Sequence, residues 1–133
     1  MTATVWLAVL VAVLCLAGLY CSVYMSLKMR RAERGLLEEP SVVMSPRAKV
    51  GGVPNSLVGL VYYLAMFIAA PALGNPVVRE AALIAAALAS AFSLYLAYSL
   101  LFVTKRPCVM CWTGHVINWS LLVLLLIRTH LSR

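Results

Sequence analysis

The stretch "RPCVMCWTGHVINWS", residues 106 to 120, gathers two thiols, a histidine and an asparagine within eleven residues. A Cys-x-x-Cys pair can close into a disulfide and reopen. Its thiolate form is favoured where positive charge or unpaired backbone N–H groups stand near the sulfur. Lys105 and Arg106 precede the pair. Pro107 suits the first position of a helix, where its missing N–H costs nothing. That placement puts Cys108 and Cys111 in the first turns, where the helix dipole favours an anion. At about 100° per residue, Cys108, Cys111, His115 and Asn118 fall within roughly 80° of one helix face. Cys111 then lies about 4.5 Å deeper than Cys108, and His115 about 6 Å deeper again. The chemistry implied is thiol–disulfide exchange at the head of a polar stripe. A metal site is disfavoured, because His115 supplies only a third ligand and no fourth is evident. The plainer alternatives are that the thiols are small apolar packers, and that His115 and Asn118 only hydrogen-bond neighbouring helices.

Two further cysteines, Cys15 and Cys21, are six residues apart. On a helix they point about 120° from each other, too divergent to pair locally. They read as packing residues.

The elements that must position the thiols are apolar. The 133-residue chain is 64% hydrophobic and only 11% charged, against roughly 25% charged in soluble domains. Its mean hydropathy is +0.98. Apolar runs at Val5–Leu27, Pro54–Leu73, Ala81–Val103 and Cys108–Ile127 each reach the roughly 20 residues that cross hydrocarbon as a helix. The expected fold is therefore all-α, a transmembrane four-helix bundle forming one membrane domain over residues 1–133. The first run is too long for a signal-peptide core and is expected to stay in the bilayer. The net charge of +7 does not point to nucleic acid. The basic residues flank the spans, where membrane proteins place them beside lipid.

The one long connection is Lys28–Val53. Its opening "KMRRAERGLLEEP" favours a water-facing helical extension or an interfacial segment, and Pro46, Gly51, Gly52 and Pro54 then break regular helix. Pro54 suits the first turn of the second span. "PALGNP" reads as a tight turn between spans two and three, and "TKRP" as a tighter one between three and four. Short turns make spans two, three and four antiparallel neighbours. The loop 28–53 and the start of the fourth span then emerge on the same side, with the loop placed as a lid over the thiols. "REAALIAAALASAF" offers a small-residue face for close helix packing.

Three segments together resemble the vitamin K epoxide reductase family, including its bacterial and archaeal thiol-oxidising branches: "GVPNSLVG" at the second span, "SLYLAYSLLFV" in the third and "CVMCWTGHVIN" opening the fourth. The resemblance covers most of the chain. It implies a four-helix bundle around a quinone, in which two active-site thiols become a disulfide as the quinone, or its epoxide in animals, is reduced. By position, it implies that Cys111 faces the quinone and that Cys108 exchanges with the electron donor. Asn55 matches a family asparagine that hydrogen-bonds a quinone oxygen. His115 stands where the animal enzymes have a tyrosine, and an imidazole could donate the same bond or supply a proton. The acceptor so implied is a lipid quinone of the menaquinone, ubiquinone or vitamin K type.

One departure stands out. Most family members carry two more cysteines in the first loop, which shuttle electrons inward. Here no cysteine occurs between Cys21 and Cys108, and Ser45 lies near a family serine with no thiol beside it. Electrons are then expected to reach Cys108 directly, from a small thiol or a thioredoxin-like protein. A non-catalytic scaffold of the same fold and a quinone-epoxide reductase remain the alternatives. Eight of the lysines and arginines fall on the side of the loop and the thiols, and three on the other. The positive-inside rule then places the thiols on the cytoplasmic side and both termini outside.

Overall fold

The computed structural model describes residues 2–36, 49–105 and 108–133. Four helices dominate it: α1 Ala3–Glu33, α2 Asn55–Ala69, α3 Pro76–Ser99 and α4 Val109–Leu131. With the short 3-10 and π turns that extend α2 and α3, all four are long and apolar enough to cross a membrane. This is an all-α transmembrane bundle, and the chain is an integral membrane protein. Its exterior is apolar: Leu16, Val61, Leu88 and Val123 are among many large side chains left exposed, as expected where lipid rather than water is the solvent.

The helix bounds depart from the apolar runs for local reasons. α1 continues past Leu27 through "KMRRAE", because Lys, Met, Arg, Ala and Glu are good helix formers and no glycine intervenes before Gly35. This is the helical extension among the readings of that stretch. The rest of the proposed lid, residues 37–48 with Pro46 and Ser45, lies outside the described residues. Lys49–Val50 (β1) and Val53–Pro54 (β2) form a small antiparallel hairpin. Its turn residues Gly51 and Gly52 have φ of 59° and 84°, the left-handed pair that a two-residue hairpin turn needs. Lys49 lies 3.7 Å from Glu33, which ties the hairpin to the end of α1.

Pro54 is not in the first turn of α2. It is the extended cap before it, with ψ of 136°, so that Asn55 becomes the first helical residue. α3 begins at Pro76, five residues before the apolar run. Asn75 caps it by accepting from the N–H groups of Val77 at 2.9 Å and Val78 at 3.4 Å. Pro76 at the first position is favourable there. Arg79 and Glu80 bound the apolar run but not the helix, and since Ala70–Ala72 continues α2 in a 3-10 turn while Pro76 opens α3, the turn is shorter than "PALGNP". α3 closes in a π turn, Leu100–Thr104, and stops at Lys105, whose φ is 53°. The proposed first-turn role of Pro107, with Arg106 beside it, lies outside the described residues.

The helices pack in the order α2, α1, α4, α3 around the bundle, whereas α2 and α3 scarcely touch. The short turn makes them antiparallel but does not make them pack side by side. Where α1 meets α2 the approach is close: a Cβ on Gly18 would fall 2.5 Å from the Tyr63 ring, and one on Gly59 would fall 2.9 Å from Ser22 Oγ. α3 turns Ala82, Ala86, Ser90, Ser93 and Ala97 inward, and small residues of this kind let it lie close to α4. Val11, Cys15, Met66, Leu121 and Leu125 fill the core at the end away from Cys108. Nearer Cys108 the space between α2 and α3 is open.

Candidate active site

Cys108 is the cap of α4 and lies outside its first turn. Its backbone is extended, with φ of −151° and ψ of 95°, and its Sγ accepts the Cys111 N–H at 3.2 Å. The sulfur thus takes one of the free donors of the helix start, as an oxygen would in an ordinary cap. The two cysteines are joined as a disulfide, with Cα atoms 5.3 Å apart. Because Cys108 has left the helical rotation, the four-residue stripe divides. Cys111, His115 and Asn118 line an interior cavity of about 520 Å³. Cys108 instead opens on a shallow groove on the other side of α4, beside Trp112, Thr113 and Ile117.

All four helices line the cavity. α2 contributes Asn55, Gly59, Tyr62 and Tyr63; α3 contributes Ala89, Phe92, Ser93 and Leu96; α1 contributes Cys21, Ser22, Met25 and Met29. The sequence-derived residues Asn55, Cys111 and His115 therefore share one space, whereas Cys108, joined to Cys111 by the disulfide, lines the groove instead. His115 is buried. Its ring has Trp112 edge-on at 5.8 Å and Trp119 at 6.1 Å, and it makes no hydrogen bond among the described residues. A largely apolar space with a few placed polar groups is the usual form of a small-molecule site. This one suits a flat, lipid-soluble ring with polar atoms at its edge.

The model of the vitamin K epoxide reductase family matches residues 9–126 of this chain. The chain belongs to the vitamin K epoxide reductase family. The match spans all four helices and both cysteines of the α4 pair, and the family is one of oxidoreductases that use quinones and redox-active thiols. At that level this family member is a quinone-related thiol oxidoreductase.

Two lining residues were not singled out from the sequence. Tyr63, buried at 4% exposure, donates its one hydroxyl proton to Asn118 Oδ1 at 2.6 Å, with the Gly114 carbonyl a second acceptor in reach at 3.3 Å. Ser93, at 2% exposure, accepts from Asn118 Nδ2 at 2.6 Å. Both sit in apolar runs, Ser93 at the head of "SLYLAYSLLFV". The available signal was that a tyrosine hydroxyl inside a span must find a partner, and that Asn118 offers both a donor and an acceptor.

Proposed function

We propose that this protein makes disulfide bonds by passing electrons from a thiol donor, through Cys108 and Cys111, to a membrane quinone. The observation that carries this reading is the division of the pair. Cys111 borders the interior cavity that also holds Asn55 and His115, while Cys108 borders an outer groove.

A donor thiolate attacks Cys108 Sγ, the sulfur reachable from outside. A mixed disulfide forms and Cys111 leaves as a thiolate. The donor's second thiol then displaces Cys108, which leaves the donor oxidised and the pair reduced. The Cys111 N–H beside Cys108 Sγ stabilises the negative charge that develops there in the second exchange, when Cys108 is displaced. A quinone bound in the cavity supplies an acceptor for two electrons and two protons, and the Cys108–Cys111 disulfide is restored as it is reduced. In this reading the Asn55 side-chain amide and the His115 imidazole, which both line the cavity, hold its oxygens, and a protonated imidazole nitrogen can give up its proton. The open side between α2 and α3 gives such a ligand a path from the bilayer. With no cysteine between Cys21 and Cys108, the donor is a small thiol or a thioredoxin-like protein acting on Cys108 itself.

Reduction of quinones by dithiothreitol, measured on purified protein, tests the reading. Turnover is expected, and its absence with benzoquinones and naphthoquinones alike would leave a scaffold. The eight-to-three distribution of basic residues supports an active-site end in the cytoplasm. Alkaline phosphatase, active only outside the cytoplasm, should give signal when fused after Arg133 and none when fused within residues 37–48. The opposite pattern reverses the orientation.

A further inference from the structure

The cavity bends. On α4 its lining ends at Asn118 and on α2 at Tyr63, whereas on α3 it continues down to Ala85. One turn beyond Asn118 and Tyr63, Leu121 and Met66 belong to the packed core. Tyr63, Asn118 and Ser93 close the bend. The tyrosine hydroxyl donates to Asn118 Oδ1, and Asn118 Nδ2 donates to Ser93 Oγ, each at 2.6 Å. The Asn118 carbonyl also accepts from Ser90 Oγ at 3.2 Å. These bonds join α2, α4 and α3 across the place where α2 and α3 scarcely touch. The Tyr63 ring cannot drift, because it lies against Gly18 at a separation that leaves no room for a methyl group.

We propose that Tyr63, Asn118 and Ser93 form a stop that sets how deep a quinone ring sits against Cys111 and turns the rest of the ligand outward along α3. The proposal rests on the quinone-linked reading above. Asn118 follows Cys111 by seven residues, and Tyr63 follows Asn55 by eight. The stop therefore lies about 10–12 Å below the level of Asn55 and Cys111. That height admits a ring head but not an isoprenoid tail. Pushing deeper would break hydrogen bonds between buried groups and strand them, so the stop resists displacement. Among the described residues, the cavity continues in the apolar limb along Ala89, Leu88 and Ala85 toward the open side. Tyr63, Asn118 and Ser93 are positioning residues: they act on where the ring rests, not on the bonds that change.

Three measurements on the full chain in detergent test this, with menadione, a tailless naphthoquinone, as the probe. Affinity is read from quenching of tryptophan fluorescence, kcat from menadione reduction by dithiothreitol. The state of the pair is read from thiol alkylation after dithiothreitol alone. Tyr63→Phe keeps the ring against Gly18 and removes only the hydroxyl; Asn118→Ala and Ser93→Ala remove the other two members. In each variant kcat should fall by roughly ten- to a hundredfold, the scale on which about 1 Å of misplacement acts. Affinity and the rate of disulfide reduction should change by less than about threefold, because neither depends on ring depth. If kcat stays near wild type in all three, the stop does not set ring position. Loss of affinity with kcat retained makes these residues a binding surface and overturns the proposal. So does joint loss of affinity, kcat and disulfide reduction in Tyr63→Phe, which would make them a brace for the bundle. If the wild-type protein neither binds nor reduces menadione, the quinone reading itself fails.

Discussion

Cys15 and Cys21 lie mid-helix in α1, 0% and 6% exposed and outside any disulfide; Cys108 and Cys111 lie half-buried at the start of α4, joined as a disulfide. The residue type is the same, and Cys21 even borders the same cavity as Cys111. The difference lies in the backbone. Around Cys15 and Cys21 the N–H groups are largely spent on the helix ladder, so burial without water dominates at both sulfurs. At the start of α4 the Cys111 N–H is free to meet Cys108 Sγ. An extended cap residue also lets one sulfur face outward while its partner faces in. On the proposed mechanism, position relative to a helix end, more than burial or shared cavity, separates the reactive pair from the packed one.

The strongest way to break that comparison is to exchange cysteines for alanine. Cys111→Ala and Cys108→Ala should each abolish dithiol-dependent quinone reduction, since neither sulfur alone can form the disulfide. Full turnover in Cys111→Ala would sink the mechanism. A smaller effect is expected where the cavity meets the ligand. Asn55→Ala and His115→Ala should each weaken quinone binding by a few-fold to roughly tenfold, the scale of one hydrogen bond at about 0.5–1.5 kcal/mol. Titration by fluorescence quenching checks this, and unchanged affinity in both returns the two residues to packing. The smallest effect belongs to the other cysteines. Cys15→Ala and Cys21→Ala should leave turnover within about twofold of wild type, with thermal unfolding lowered only by the loss of a small buried group, on the order of 1 kcal/mol. A large loss of activity in Cys21→Ala would bring that thiol into the chemistry and dissolve the contrast.

Much of this was legible in the residues. Four apolar runs mark the four helices, because crossing hydrocarbon leaves a long sequence trace. "CVMCWTGHVIN" and "GVPNSLVG" mark Cys111, His115 and Asn55, which meet at one cavity. What stayed hidden depends on single backbone angles or on contacts between spans. Cys108 looks like a fourth member of a helical stripe until its extended φ and ψ take it out of register. The start of α3 is masked by Arg79 and Glu80, which interrupt hydropathy but not helix. Tyr63 and Ser93 look like filler because their partner, Asn118, lies on another helix.

The packing order has a mechanical corollary. Arg128 near the end of α4 hydrogen-bonds the Thr4 carbonyl near the start of α1. The first and last helices are thereby clasped, while α2 and α3, consecutive in the chain, stand apart. The bundle is thus a pair of hairpins jointed along the line where α1 meets α4. The turn at Leu73–Asn75 tethers their far ends. Any widening between α2 and α3 is a swing of one hairpin about that joint, greatest at the end that carries Asn55 and Cys111.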